Sequence, residues 1–418
     1  MNSVVKAIKE KIFNNRKIFE NYIFMTLLQV VSPLIGFIIY PYLIRVVGPS
    51  NYGLYVFFIS IATYIVMLIA YGFSWIGLRD ISCNQDNQKE KNRIVSTVLI
   101  SKLLLFTIVT IGFYLLILII PFFKENELIL WFCFLQMAIP DLLFPVWFFQ
   151  GLQKMKIVTF IQLFVRLLSI PLVFICIKEA NDIPVYAMIT SGCTILGALI
   201  AVWFVHCREK IRIYWVSYHE IKTYFKDGLS FFGTNIVGIT KRELLPIITG
   251  SFLGMSELAL YDLACKIIAI PNLLTDKINI AVFPEIIKNP IPSRIRKIMK
   301  MEIITGVGII LVIIALSYWI VLLMGGKQMI LAYPLVCILS VTILSNLLSG
   351  NCMNLIFIPH KKYNYVFQLQ IVSLVSVVVL CMPLLIWQSV FIVAVASALS
   401  GMSEVGYSFY RIKKQRLL

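Results

Sequence analysis

Charged side chains are scarce in this sequence. Asp, Glu, Lys and Arg make up 14% of its 418 residues, whereas apolar residues make up 60% and the mean hydropathy is +0.90. A soluble globular domain is about one quarter charged, so this composition excludes an ordinary soluble fold. Apolar runs of about 20 residues, the length of a membrane-crossing helix, recur along the whole chain. The short alternating strands of a membrane barrel are missing, and we therefore predict an all-α polytopic membrane protein.

Motifs for catalysis are also missing. The sequence has no phosphate-binding Gly-x-x-x-x-Gly-Lys-Ser/Thr loop, no Gly-x-Ser-x-Gly elbow and no His-Glu-x-x-His pair. Its three histidines lie in predicted cytoplasmic loops, and its nine cysteines show no Cys-x-x-Cys spacing. The predicted outer loops are too short to hold the catalytic groups of a membrane glycosyltransferase. We expect a protein that is not an enzyme and that uses no cofactor and no metal site.

Acidic residues are few: 20 stand against 37 Lys and Arg, which gives a formal net charge of +17. Nucleic acid is not the expected partner, because the basic residues fall in short runs between apolar segments. The loops and termini predicted on one side of the membrane carry 27 Lys and Arg, and the loops on the other side carry 4. Since cytoplasmic loops are the basic ones, we predict that both termini are cytoplasmic.

A short repeat relates the two halves of the chain. Gly48-x-Ser50-x-x-x-Leu54-Tyr55 recurs as Gly254-x-Ser256-x-x-x-Leu260-Tyr261, 206 residues later. About 12 transmembrane helices fit the apolar pattern, and this offset pairs the first span with the seventh, as in transporters built from parallel repeats. We predict two six-helix bundles. The predicted parts are a cytoplasmic N-terminal segment 1–19, an N-terminal bundle 20–205, a cytoplasmic amphipathic linker 206–228, a C-terminal bundle 229–410 and a cytoplasmic tail 411–418.

Six cations fall inside predicted spans, where a charge persists mainly against a cavity or a partner. Lys102 and Lys277 lie near cytoplasmic helix ends, and we expect them to snorkel to the interface. Arg166 lies near the middle of its span and either snorkels or lines a cavity. Lys241 and Arg242 are neighbours, about 100° apart around a helix, so at least one of them must face a polar interior.

The second half of the repeat carries a possible ion pair. Asp262 and Lys266, one turn apart, either neutralise each other on one helix face or lie beside a hydrated path. The excess of cations within the spans favours an anionic ligand such as a phosphate or diphosphate group. The candidate substrate-binding residues are Arg166, Lys241, Arg242 and Lys266. The candidate residues for ion coupling are Asp141, Asp262 and Glu404.

Several motifs resemble those of a known family of transporters, the Wzx-type polysaccharide repeat-unit flippases. They are Gly48-Pro-Ser-Asn-Tyr-Gly-Leu-Tyr55, Phe144-Pro-Val-Trp-Phe-Phe-Gln-Gly-Leu-Gln-Lys-Met155, Leu260-Tyr-Asp-Leu-Ala-Cys-Lys266 and Phe283-Pro-Glu285. The resemblance implies membership in the multidrug/oligosaccharidyl-lipid/polysaccharide exporter superfamily, with two six-helix bundles. It also implies transport of an undecaprenyl-diphosphate-linked oligosaccharide, such as an O-antigen repeat unit, across a bacterial inner membrane. The implied partners are this substrate, membrane lipids, and the polymerase and chain-length proteins of the same pathway.

Two other functions stay open at this point. A cation-coupled multidrug or small-solute exporter of the same superfamily would need an acidic cavity, built from Asp141, Asp262 and Glu404. A membrane polymerase or ligase acting on the same lipid carrier would need a longer outer loop than the sequence provides. The flippase function agrees best with the basic character of the predicted spans.

Overall fold

The computed structural model describes the backbone of residues 2–288, 292–360 and 362–415. The side chains of residues 2–19, 274–288, 292, 294 and 363 are not described, so Lys277 and the motif at 283–285 lie outside the described residues. Within the described backbone all regular elements are helical, which confirms the predicted fold class. The α-helices are α1 Asn2–Ala70, α2 Phe73–Cys83, α3 Gln88–Ile119, α4 Pro121–Glu125, α5 Glu127–Leu143, α6 Val146–Gly151, α7 Met155–Cys176, α8 Ile183–Cys207, α9 Tyr218–Leu253, α10 Met255–Lys288, α11 Pro292–Gly325, α12 Ala332–Leu339, α13 Val341–Asn351, α14 Tyr363–Cys381 and α15 Val390–Gln415. A π-helical segment, Cys352–Phe357, continues α13.

Nine helical segments of the described chain are long and apolar enough to cross a membrane. The first, Glu20–Ala70, has 51 residues, enough for two spans. Helices α9 and α10 are not among the nine, and both carry charges in their middle parts. With the first segment divided and these two helices added, the number of spans agrees with the predicted 12. The chain is a multi-pass membrane protein.

The sequence repeat has a counterpart in the backbone. Gly48 (φ +81°) interrupts α1, and Gly254 (φ +95°) separates α9 from α10. Residues with a Cβ atom rarely adopt such positive φ values, so glycine is favoured at both points. The two glycines hold the same place in the repeat: Gly48 lies between the predicted spans 20–43 and 52–74, and Gly254 lies between the predicted spans 229–253 and 257–284.

The chain folds into two compact units. The first comprises Met1–Ile39 and Ile61–Ile236, and the second comprises Tyr40–Ser60 and Val237–Leu418. The middle of α1 therefore packs with C-terminal helices, although the predicted boundaries assign it to the N-terminal bundle. Gly53 shows how closely it packs, because a Cβ atom at this position would lie 1.8 Å from the carbonyl oxygen of Met255. The predicted division at 206–228 stays a prediction.

Each unit has its own apolar core. In the first unit α2, α3, α6, α7 and α8 pack around aromatic side chains that include Phe73, Trp147 and Phe148. In the second unit α11, α13, the π-helical segment, α14 and α15 surround a core that includes Leu355 and Phe357. Such cores fix the helices that carry the polar side chains described below.

The segment that follows α8 has no regular secondary structure where the sequence suggests an amphipathic linker. Residues 208–217 form no helix, and hydrogen bonds attach them to the first turns of α3. The Gln88 side chain donates to the carbonyl oxygen of Glu209 at 3.0 Å, and the Tyr214 N–H donates to Ser96 Oγ at 3.2 Å. Its predicted position on the membrane surface stays a prediction.

Candidate functional site

The most concentrated polar group of the second unit surrounds Lys266. We define the Lys266 cluster as Tyr40, Tyr52, Asp262 and Lys266. The Lys266 ammonium group donates hydrogen bonds to Asp262 Oδ2 and to the Tyr52 hydroxyl oxygen. The Tyr52 hydroxyl in turn donates to Asp262 Oδ2 at 2.9 Å. Asp262 and Lys266 therefore do form the predicted ion pair along α10, and the middle of α1 contributes to it.

Aromatic rings also hold the Lys266 cation. Its Nζ atom lies 4.9 Å from the ring centroid of Tyr40 and 5.0 Å from that of Tyr52. Both tyrosines are buried, whereas the Lys266 side chain is 42% exposed. A cation over an aromatic face is stabilised by the ring quadrupole. An ammonium group has three N–H donors, and the described residues accept hydrogen bonds from two of them, which leaves one donor for an anionic ligand.

Lys241 forms the second ion pair of this unit. Its Nζ atom lies 2.7 Å from Glu404 Oε2 and links α9 to α15. Glu404 is buried, and 29% of the Lys241 side chain is exposed. Arg242 takes a different direction: its side chain is 66% exposed and donates to Glu243 at 2.7 Å. The helical geometry thus separates the neighbouring cations, as the 100° turn between adjacent residues requires.

Arg166 belongs to the first unit and lies on α7. It is exposed, and it forms no ion pair with the acidic side chains that the structure describes. Tyr186 on α8 interacts with it electrostatically. The side chains of Thr159, Gln162 and Arg166 recur at helical spacing along α7 and form a polar stripe. The sequence contains this stripe, but a search for charged residues alone does not find it.

The expectation that Lys102 snorkels to the interface is wrong. Only 2% of its side chain is exposed, and its ammonium group lies 3.0 Å from Asp141 Oδ2 and 2.8 Å from the Asp141 carbonyl oxygen. The Ser74 hydroxyl accepts a third, longer bond of 3.3 Å. The reason lies four residues beyond Asp141. Pro145 has no N–H to continue the helical ladder, so the carbonyl of Asp141 is free to bind the cation.

The predicted site residues therefore fall into separate groups. Each of the three candidate coupling acids binds a lysine: Asp141 binds Lys102, Asp262 binds Lys266, and Glu404 binds Lys241. In the part of the chain that the structure describes, no group of three His, Cys, Asp or Glu side chains is placed to hold a metal ion. The roles of these residues in binding and coupling stay predictions. Tyr52 was missed as a member of the site, although it lies within the motif at Gly48–Tyr55.

Comparisons with known proteins agree with this architecture. A family model described as "Polysaccharide biosynthesis protein" matches residues 18–290. A relative from Escherichia coli strain K12, named "Putative O-antigen transporter", is 26% identical over 290 residues, which is 69% of each chain. A relative from Shigella dysenteriae with the same name is 26% identical over 272 residues, 64% of this chain and 67% of its own.

Two solved structures share the fold. An inward-facing multidrug resistance MATE family transporter of the MOP superfamily matches with a TM-score of 0.64 and 12% identity, over 94% of this chain and 99% of that one. The lipid II flippase MurJ in an inward closed conformation matches with a TM-score of 0.63 and 14% identity, over 96% of this chain and 87% of that one. Because the family model covers more than half of the sequence, the chain belongs to the polysaccharide biosynthesis protein family.

Proposed function

We propose that the protein is a flippase that moves an undecaprenyl-diphosphate-linked oligosaccharide, an O-antigen or similar repeat unit, across the bacterial inner membrane by alternating access. The family, the two relatives named as O-antigen transporters and the fold shared with a lipid II flippase support this proposal. The family and the structural relatives are transporters, in agreement with the missing catalytic motifs. The excess of Lys and Arg on one side of the predicted topology supports cytoplasmic termini.

The half-exposed Lys266 cation is the observation that supports this substrate most directly. A diphosphate group cannot cross hydrocarbon unaided, because isolated charge at bilayer depth is costly. Asp262 compensates the Lys266 charge, the Tyr52 hydroxyl accepts a hydrogen bond from it, and the rings of Tyr40 and Tyr52 hold it in place. A phosphate oxygen would take the remaining N–H donor of Lys266 without dismantling the cluster.

Other cations extend the proposal beyond this cluster. Arg166, Lys241 and Arg242 are the further candidate contacts for phosphate or sugar. The exposed guanidinium groups of Arg166 and Arg242 are suited to paired hydrogen bonds with phosphate, whereas Lys241 is committed to Glu404. We therefore expect larger effects from the two arginines than from Lys241 on substrate affinity.

The proposal is tested by replacing Lys266 with Gln in cells that lack their own flippase and measuring surface polysaccharide. A hydrogen bond to a charged group is worth about 1.5–3 kcal/mol, so we expect affinity to fall by about 10-fold to 100-fold. Lys154→Gln is the matched control, since Lys154 also binds a carboxylate, Glu209, and is 45% exposed. It is expected to restore export fully, and Lys266→Arg is expected to restore it in part.

One result in these cells would contradict the proposal. Full surface polysaccharide from Gln variants of Lys266, Arg242 and Arg166 alike, at wild-type protein levels, would refute binding of an anionic group by these cations.

A multidrug exporter is the rival function, and it requires free acids. The lysine partners of Asp141 and Asp262 argue against it, and drug-sensitivity profiles with and without the protein separate the two functions.

A further inference from the structure

A buried carboxyl group of the second unit has no cationic partner among the side chains that the structure describes. Glu302 on α11 is 4% exposed, and Asn351, the last residue of α13, is 0% exposed. The Asn351 amide nitrogen donates a hydrogen bond to Glu302 Oε2. On the face of α11 that carries Glu302, the preceding turns present Ile295 and Met299, which belong to the apolar core. Apolar core side chains therefore lie on the same face of α11 as Glu302.

The two remaining oxygen atoms of this pair have no hydrogen-bond partner in the described part of the chain. Glu302 Oε1 and Asn351 Oδ1 are both buried, and neither makes a hydrogen bond to any residue that the structure describes. Buried polar atoms are nearly always paired, so two orphan acceptors in one contacting pair need an explanation. With the carboxyl group ionised both atoms are acceptors, and a single hydrogen between them would satisfy both.

The charged side chains that the structure describes on and around α11 do not compensate Glu302. The elements packed against α11 are α10, α12, α13 and the turn at Lys327–Met329. None of their described titratable side chains bonds to Glu302, and neither do those of α11 itself. These side chains are Glu257, Tyr261, Asp262, Cys265 and Lys266 on α10, Tyr333 and Cys337 on α12, Cys352 after α13, Lys327 in the turn, and Arg296, Lys297, Lys300 and Tyr318 on α11.

Glu404 is a buried carboxylate of the same unit that does have a cationic partner. It is equally buried, at 4% exposure, and the Lys241 ammonium lies 2.7 Å from it. An ionised carboxylate without such a partner is strongly disfavoured in an apolar interior, and such groups instead take up a proton. Glu302 and Glu404 therefore differ in their partners, a neutral amide for one and a cation for the other.

We propose that Glu302 and Asn351 form a proton-binding site, in which the Glu302 carboxyl group holds one proton taken from water and donates it to Asn351 Oδ1. The Asn351 amide donates in the opposite direction, so the acid and the amide are joined by two parallel hydrogen bonds. All four polar atoms are then satisfied. A metal cation fits this pair less well, because a metal needs several oxygen ligands and the pair offers two.

Loss of the proton has a structural consequence. The carboxylate would then face an unpaired Asn351 oxygen, and the two like dipolar acceptors repel each other. Asn351 lies directly before the π-helical segment Cys352–Phe357, a type of irregularity that is frequent at functional sites. Release of the proton is therefore expected to loosen the contact between α11 and α13. This site makes the second unit responsive to protons whatever substrate the protein carries.

The test is infrared spectroscopy of the purified full chain in lipid nanodiscs at neutral pH. The wild-type spectrum minus that of Glu302→Gln is expected to show the carbonyl band of one protonated carboxylic acid, shifted in heavy water. The amide introduced by Glu302→Gln keeps both hydrogen bonds to Asn351, so this variant is expected to fold. Glu404→Gln is the matched control, and it is expected to remove the bands of an ionised carboxylate instead.

A second measurement uses the melting temperature over a range of pH. If folding buries Glu302 with its proton, the wild-type protein loses stability as pH rises, and Glu302→Gln loses less over the same range. Absence of the protonated-acid band from the difference spectrum would overturn the proposal. So would a melting temperature that rises with sodium chloride, but not with choline chloride, in the wild type alone, since that result would identify a metal site.

Discussion

Removing either partner of the Lys102–Asp141 pair is expected to destabilise the first unit, by unequal amounts. Asp141→Asn leaves the Lys102 ammonium, only 2% exposed, without a counter-charge, and breaking a buried pair in this way costs about 3–5 kcal/mol. Lys102→Met leaves the Asp141 carboxylate, which is 26% exposed and can bind water, so we expect a smaller loss of about 1–3 kcal/mol. The double variant buries no unpaired charge, and it is expected to be more stable than Asp141→Asn.

The assay is a double-mutant cycle on the free energy of unfolding of the purified chain in one detergent. The expected coupling energy between the two positions is about 1–3 kcal/mol. The pair Lys154–Glu209 is the control, because it lies in loops and its lysine is 45% exposed, and an ion pair with a solvated partner contributes at most about 1 kcal/mol. Additive losses at Lys102 and Asp141, or losses no larger than those of the control pair, would refute the inference that this ion pair is buried.

Two further predictions concern the backbone. Gly53→Ala is expected to destabilise the second unit by about 1–3 kcal/mol, because the new Cβ atom would overlap the Met255 carbonyl. The control is Gly308→Ala, whose new Cβ atom meets nothing within 4 Å and which is expected to stabilise α11 by up to about 1 kcal/mol. Thermal unfolding of both variants measures the sign of each effect. In the loop before α8, two backbone N–H groups donate to the Asp182 carboxylate and hold its pKa below the usual value, so its stabilisation is present above about pH 4 and is lost as pH falls further. Asp182→Asn is expected to flatten this acid-side decline in melting temperature, and an unchanged decline would contradict the assignment.

Local signals indicated the breaks between helical spans and one ion pair. The positive φ values of Gly48 and Gly254 follow from the repeat, since glycine is the residue that ends a helix in this conformation at little cost. The Asp262–Lys266 pair follows from the spacing of one helical turn. Both inferences concern residues close together in the chain, where helical geometry alone fixes which side chains meet.

Long-range partners were beyond such signals. Lys102 forms an ion pair with Asp141, and Lys241 forms one with Glu404. The partners lie far apart in the sequence, so local spacing predicts neither pair. Pro145 has no N–H that could donate to the carbonyl oxygen of Asp141, and this follows from the sequence. Nothing nearby in the chain indicated which cation would bind that carbonyl oxygen.

The sequence by itself determined a multi-pass helical membrane protein of about 12 spans, because apolar length and the scarcity of charge leave a chain no other stable form in a bilayer. It also determined where the repeat breaks its helices. Only the tertiary structure decided that residues 40–60 pack against α10, which brings Tyr40 and Tyr52 to Lys266. It also decided that the partner of Glu302 is an amide, whereas the partner of Glu404 is a cation. The physical reason is that helical periodicity sets the face on which a side chain lies, whereas the packing of distant helices sets what that face meets.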